Sequence, residues 1–266
     1  MAYSYLSIYV LGYLAIYLYC YFAAVLRSFG NSMFQAIAML TTTILNAILD
    51  PVFIHFIGFN GAAIATVLSE GICLVFMLVY IKKKKLFAFK LSSFDKGDIW
   101  LLIQKAVPSV VQQSIPAIST TFLTALVSTY SITAIAAYGV TGKLEIIVFY
   151  PAMALNMVLT TIIGQCAGGN RYDRARDYLK CSLKYGCGLL VILSVLVVGF
   201  SRQLSGLFVR SDEVAEIVGT YFLIVGIGYI LNTVTNCYLG SLNGLGKPSK
   251  SMFLMIFYYI IVRMPL

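Results

Sequence analysis

Apolar runs of about twenty residues or more follow one another along almost the whole 266-residue chain. Eight can be drawn, over about 3–26, 33–57, 60–81, 100–129, 133–165, 177–201, 212–242 and 249–266. A run of that length spans a bilayer core, and inside lipid a helix satisfies its own backbone hydrogen bonds. All eight are therefore read as membrane helices, giving an all-α, polytopic bundle. The fifth run is too long for a straight crossing, and Pro151 is expected to kink it. Composition agrees: 60% of the residues are hydrophobic and only 11% charged, with a mean hydropathy of +0.90. Soluble domains carry about 25% charged residues.

The net charge of +9 does not point to nucleic acid, because the basic residues sit in short loops between spans. Fifteen fall on one side: Arg27, Lys82 to Lys85, Lys90, Lys96, Lys105, Arg171, Arg174, Arg176, Lys180, Lys184, Lys247 and Lys250. The other side has only Arg202 and Arg210. The rich side is expected to be cytoplasmic, so that the first span runs out-to-in and the eight alternate without exception. No basic region precedes the first run, so no cleavable signal peptide is expected. The six cysteines are scattered and form no CxxC pair, which argues against metal or redox chemistry. No GxxxxGK[ST] loop and no Ser/His/Asp constellation is visible, so neither a nucleotide-driven pump nor an enzyme is read here, and no cofactor is expected.

One turn recurs. Leu26-Arg27-Ser28-Phe29-Gly30 lies between two apolar runs, and Leu242-Asn243-Gly244-Leu245-Gly246 lies between two others, 216 residues on. At that offset Tyr5 falls on Tyr221, Ile8 on Ile224, Gly12 on Gly228 and Tyr13 on Tyr229. Duplicated apolar halves are a transporter signature. A unit of that length present twice needs about 430 residues, so the sequence is read as part of a longer chain. The expected organisation is residues 1–81 as the later half of a first lobe, 82–99 as a cytoplasmic interlobe loop, and 100–266 as an incomplete second lobe.

Several motifs resemble the multidrug and toxic compound extrusion (MATE) transporters. They are Leu26-Arg27-x-x-Gly30, Leu45-Asn46-x-x-Leu49-Asp50-Pro51, Gly61-Ala62-Ala63-Ile64-Ala65-Thr66, Ala136-Ala137-Tyr138-Gly139, Lys143-Leu144-Glu145 and Gly164-Gln165-x-x-Gly168-Gly169-Asn170. Their order matches spans four to eleven of a twelve-span transporter built as two six-helix lobes. The resemblance implies a cation-coupled (H⁺ or Na⁺) antiporter, monomeric at full length, in a bacterial plasma membrane. It would export amphipathic, often cationic small-molecule drugs or xenobiotics by alternating access.

Asn46 and Asp50 are four apart and share one helix face. A carboxylate inside a span needs compensation, and with a neighbouring amide it can hold a proton or a sodium ion. Thr66 can add a hydroxyl across the outer turn. The resemblance implies that Asn46, Asp50 and Thr66 belong to a cation-coupling network; the plainer alternative is an Asp–Pro helix break near water. Lys143 and Glu145 are two apart, point to different faces, and each needs its own partner or a watery cavity. Glu145 could attract cationic substrate, or the pair could be an interhelical polar lock. Gln112 and Gln113 between Pro108 and Pro116, then Asn156, Asn232 and Asn236, offer polar groups to a second-lobe cavity, or else join helices. Tyr13 and Tyr17 could present aromatic faces to a cation. His55, the only histidine, lies at the outer turn. The rival functions are a lipid-linked saccharide flippase and a non-transporting membrane scaffold. The few in-span charges, Asp50, Glu70, Lys143, Glu145 and Arg263, argue against a large anionic headgroup.

Overall fold

The structure is a computed structural model, and it describes residues 2–85, 96–209 and 211–263. The chain divides into two compact units, Met1–Ser93 and Phe94–Leu266. The middle of the expected interlobe loop, residues 86–95, lies outside the described residues.

The first unit holds three helices, α1 (Ala2–Ser28), α2 (Ser32–Ile57) and α3 (Asn60–Lys84). α3 packs along both of the others. Its core is a stripe of Tyr19, Phe22, Ala23 and Leu26 on α1, spaced three or four apart, against Cys73, Leu74, Met77 and Ile81 on α3 and Ala38 on α2. Stacking of Phe34 on Tyr80, with ring centroids 3.7 Å apart, fixes the start of α2 on the end of α3. Asn31 completes that corner. Its Oδ1 accepts from the Phe34 amide, and its Nδ2 donates to the Tyr80 hydroxyl at 2.7 Å.

The second unit holds α4 (Lys96–Val127), α5 (Ile132–Gly168), α6 (Tyr172–Gly199), the short α7 (Ser201–Ser205), α8 (Asp212–Gly244) and α9 (Pro248–Ile256). The last of these continues into a π-helical stretch, Phe257–Arg263. Among the described residues there is no strand. The core forms where α5, α6 and α8 meet, around Val140, Leu144, Val148, Leu190, Val197, Val218, Phe222 and Tyr229. A second cluster, Leu159, Ile163, Ala175 and Cys237, fills the same three-helix interface further along.

The turn that recurs in sequence recurs in backbone geometry. Gly30 and Gly246 both adopt positive φ, 79° and 70°. The Asn31 amide donates to Leu26 O at 3.0 Å and the Gly30 amide to Arg27 O at 2.9 Å. At the later turn, Lys247 donates to Leu242 O at 2.9 Å and Gly246 to Asn243 O at 3.0 Å. Every atom pair is displaced by 216 residues, and each set is the two-bond helix stop with a left-handed residue. A third stop of the same form ends α5, where Asn170 takes the left-handed position at φ 55°.

Six helices are long and apolar enough to cross a membrane. A seventh crossing is made if α8 counts as one span, because it bends by 50° between Asp212–Gly226 and Gly228–Gly244. This corrects two expectations. The eighth run yields only a shorter apolar helix, Pro248–Ile261, because regular α-helical turns give way to π-helical ones after Ile256. The expected break at Pro151 does not occur: α5 runs as one 37-residue helix through it. Proline inside a membrane helix is tolerated where neighbouring helices and local adjustments re-satisfy the freed carbonyl. The largest bend falls instead at Gly226 and Gly228, where the helix loses side-chain support.

Candidate functional site

In the first unit the predicted polar set comes together. The Asn46 amide nitrogen lies 3.3 Å from Asp50 Oδ1 and 3.3 Å from Thr66 Oγ1, donating to both. Thr66 Oγ1 donates to Ala62 O at 3.0 Å, one turn back on its own helix. The spacing of four in Asn46–Asp50 accounts for the first contact. The second depends on how closely α2 and α3 approach. A Cβ at Gly61 would lie 2.2 Å from Phe53 O, so only glycine fits the seam there. Ala63 and Ala65 beside it are fully buried. Gly58, at φ 74°, closes the intervening turn and accepts from the Gly61 amide at 2.8 Å. The Gly-Ala-Ala-Ile-Ala-Thr segment is thus what carries the Thr66 hydroxyl to Asn46. All three polar residues are half-buried. The cluster lies about 10 Å along the helix axes from the α2–α3 turn, at 1.5 Å per residue.

Glu145 in the second unit has found partners that spacing alone does not reveal. Its Oε1 accepts from Tyr221 Oη at 2.9 Å and from Tyr229 Oη at 3.0 Å. Both tyrosines are on α8, 76 and 84 residues further along the chain. Tyr229 is 1% exposed and meets Phe149 edge-on. Lys143, two residues before Glu145, is exposed on another face.

A second polar seam joins α5 and α8 deeper in the unit. Asn156 Nδ2 donates to Asn236 Oδ1 at 3.3 Å, and Asn236 Nδ2 donates to Asn232 Oδ1 at 3.0 Å. Thr160 Oγ1 donates to Asn156 O at 2.8 Å and reaches Gly240 O at 3.2 Å. Asn232, Asn236, Gly240 and Gly244 repeat every four residues on one face of α8. The glycines let the backbones touch: a Cβ at Gly240 would lie 2.5 Å from Asn156 O, and one at Gly244 2.8 Å from Thr160 O.

The proposed cavity residues therefore do not form one cluster. Asn156 and Asn232 join through Asn236. Glu145 stands eleven residues earlier on α5, about 16 Å along the axis. On α4, Gln112 is buried and Gln113 exposed, away from both networks. Further along α4, a groove of about 720 Å³ is lined by Pro116, Thr120, Thr121, Thr124 and Ser128, among others. Tyr13 and Tyr17 are both more than half exposed on α1.

A family model, MatE, matches residues 108–266. The chain belongs to the MatE family. That is a family of transporters rather than enzymes, and this member is a multi-pass helical membrane protein. The MatE chain is 24% identical, over its whole length, to the probable multidrug resistance protein YpnP of Bacillus subtilis (strain 168), of which it covers 60%. It is 26% identical over 91% of its length to the FAD transporter of Shewanella oneidensis, covering 55% of that protein. The chain thus spans a little over half the length of these relatives. Two solved structures share its fold. A MATE transporter in complex with MaL6 has a TM-score of 0.90 at 20% identity, over 98% of this chain and 60% of that one. An outward-facing multidrug resistance MATE family transporter of the MOP superfamily has a TM-score of 0.89 at 21% identity, with the same coverage.

Proposed function

We propose that this MatE-family chain belongs to a cation-coupled exporter of amphipathic, often cationic small molecules, driven by a proton or sodium gradient. The observation that carries the reading is the Asn46–Asp50–Thr66 cluster. It places one carboxylate, one amide and one hydroxyl at a single depth between two closely packed helices. Such a set provides oxygen ligands for a sodium ion, or a carboxylate that takes up a proton. Alternating access between two lobes would then expose the group to one side at a time. Glu145, with its two tyrosine donors, would act as a fixed negative element in the second unit rather than as the coupling group. The hydrogen bonds favour its ionised form.

The similarity to the Shewanella FAD transporter favours a second reading, export of a large anionic nucleotide cofactor. The paucity of basic residues within the spans speaks against it. The saccharide flippase meets the same objection, and a non-transporting scaffold leaves the polar cluster without a use.

The test is transport by the longest reading frame that contains this sequence, reconstituted in vesicles. Efflux of ethidium should follow an imposed H⁺ or Na⁺ gradient. Asp50→Asn, nearly isosteric, should abolish that dependence per folded molecule. Unchanged gradient dependence in the variant would leave Asp50 as a helix-break residue and remove the coupling site.

A further inference from the structure

Glu70 is the one carboxylate in the helices of the first unit that the Asn46–Asp50–Thr66 cluster does not use. It follows Thr66 by four residues on α3, so it lies one turn further in on the same face. Its Oε2 is buried and has no hydrogen-bond partner among the described residues. The seam beside it is tight. A Cβ at Gly12 of α1 would lie 2.2 Å from Val67 Cγ2, which brings α1 directly against the Glu70 turn. Tyr9, Tyr19 and Cys20 of α1 stand within electrostatic range of the carboxylate.

The helices packed on α3 supply no positive charge at this depth. α1 carries a single basic residue, Arg27, in its last turn. The titratable residues of α2 are Asp50, tied to the α3 face through Asn46 and Thr66, and His55 near its outer end. The lysines of α3 begin at Lys82, about 18 Å along the helix from Glu70. A buried carboxylate oxygen without donor or counter-charge is disfavoured when ionised. An organic cation seated against it would change that balance. Tyr9, stacked on Tyr5 with centroids 6.3 Å apart, adds aromatic faces beside the same group.

We propose that Glu70 is the point in the first unit where a lipophilic organic cation displaces a proton. When the site is empty, the carboxyl holds its proton. When the cation binds, the O–H bond breaks, the proton leaves to solvent, and the carboxylate pairs with the cation. Charge in the site is conserved, and one proton leaves per cation. The proposal rests on the export reading above and adds to it the residue that recognises ligand charge, distinct from Asp50.

The experiment uses the longest reading frame containing this sequence, purified in nanodiscs. Methyltriphenylphosphonium is titrated calorimetrically in two buffers of different protonation enthalpy, which counts protons released per cation. The neutral isostere triphenylphosphine oxide serves as control. The wild type should release about one proton per phosphonium, and Asp50→Asn should too. Glu70→Gln should release none and bind the phosphonium at least about tenfold more weakly, with the neutral probe unaffected. A dicyclohexylcarbodiimide adduct should form at Glu70 of the wild type, and bound phosphonium should block it, a readout that needs no variant to fold. Phosphonium binding without proton release, or release lost in Asp50→Asn and kept in Glu70→Gln, overturns the assignment while leaving export standing. A wild type that binds no organic cation overturns both.

Discussion

Gly30 and Gly246, 216 residues apart, occupy the same left-handed position of the same two-bond helix stop. Neither has a neighbouring atom that a Cβ would strike. The glycine is therefore needed for its backbone angle alone, and the cost of replacing it should depend on how well the new residue accepts positive φ. Gly246→Val should destabilise the protein by about 1–2 kcal/mol, the penalty of the left-handed region for a side chain with a Cβ. Gly246→Asn should cost distinctly less, because Asn170 already fills the equivalent place at the end of α5. Thermal unfolding in detergent compares the two, and equal losses would mean that packing, not φ, governs the turn.

Gly240 makes the opposite case. Here the helix is regular, but a Cβ would come 2.5 Å from Asn156 O on α5. Gly240→Ala should cost about 1–3 kcal/mol through overpacking and should separate the Asn156–Asn236 contact. Gly188→Ala is the control. No atom lies within 4 Å of a Cβ at Gly188, in the middle of α6. That substitution should stabilise, by about 0.5–1 kcal/mol of recovered helix propensity. Opposite signs in the two melting shifts are the expected result, and a destabilised Gly188→Ala would refute the packing argument.

The tyrosine pair on Glu145 yields a coupling prediction. Tyr229→Phe removes one donor from Glu145 Oε1 while keeping the ring against Phe149. A hydrogen bond to a charged group contributes about 1.5–3 kcal/mol, so the variant should lose stability on that scale. Glu145→Gln should cost less in the Tyr229→Phe background than in the wild type, by at least about 0.5 kcal/mol, because the two changes remove one interaction. Additive losses in the double-mutant cycle would show that the tyrosine hydroxyl and the carboxylate do not depend on each other.

The sequence made these three features legible to different degrees. Apolar runs of twenty residues leave few alternatives in lipid, so the helices are found within a few residues of where hydropathy puts them. The Leu26 and Leu242 turns could be matched because a left-handed stop demands glycine and a basic flank breaks the apolar run. The Asn46–Asp50 contact is local and follows from helical period. Glu145 is different. Its donors, Tyr221 and Tyr229, reside on another helix about eighty residues away, and no periodicity within α5 indicates them. The only trace was that both tyrosines aligned with Tyr5 and Tyr13 in the repeat. The bend in α8 was missed for a related reason. Proline was taken as the bend signal, whereas α5 is supported around Pro151 and α8 is not stiffened at Gly226 and Gly228.

The last prediction separates the ligand set at Asp50 from a merely structural contact. Asn46 has one amide nitrogen donating to two acceptors, Asp50 Oδ1 and Thr66 Oγ1, each at 3.3 Å. Thr66 therefore holds the amide in place and keeps its own oxygen beside the carboxylate. Thr66→Val preserves shape on α3 but removes that oxygen. One lost hydrogen bond is worth about 1 kcal/mol, which is about fivefold in an equilibrium constant. The ion concentration for half-maximal efflux, Na⁺ or H⁺, should rise by about that factor, while maximal efflux at saturating ion changes little. Thr66→Ser restores the oxygen and should restore the ion dependence, even though it leaves a methyl-sized gap against α2. A structural role predicts the reverse order, since valine fills the seam and serine does not. Ion titrations of efflux in vesicles, normalised to folded protein, read the difference. If Thr66→Ser is impaired and Thr66→Val is not, the hydroxyl has no part in coupling, and the seam between α2 and α3 is held by packing at Gly61, Ala63 and Ala65 alone.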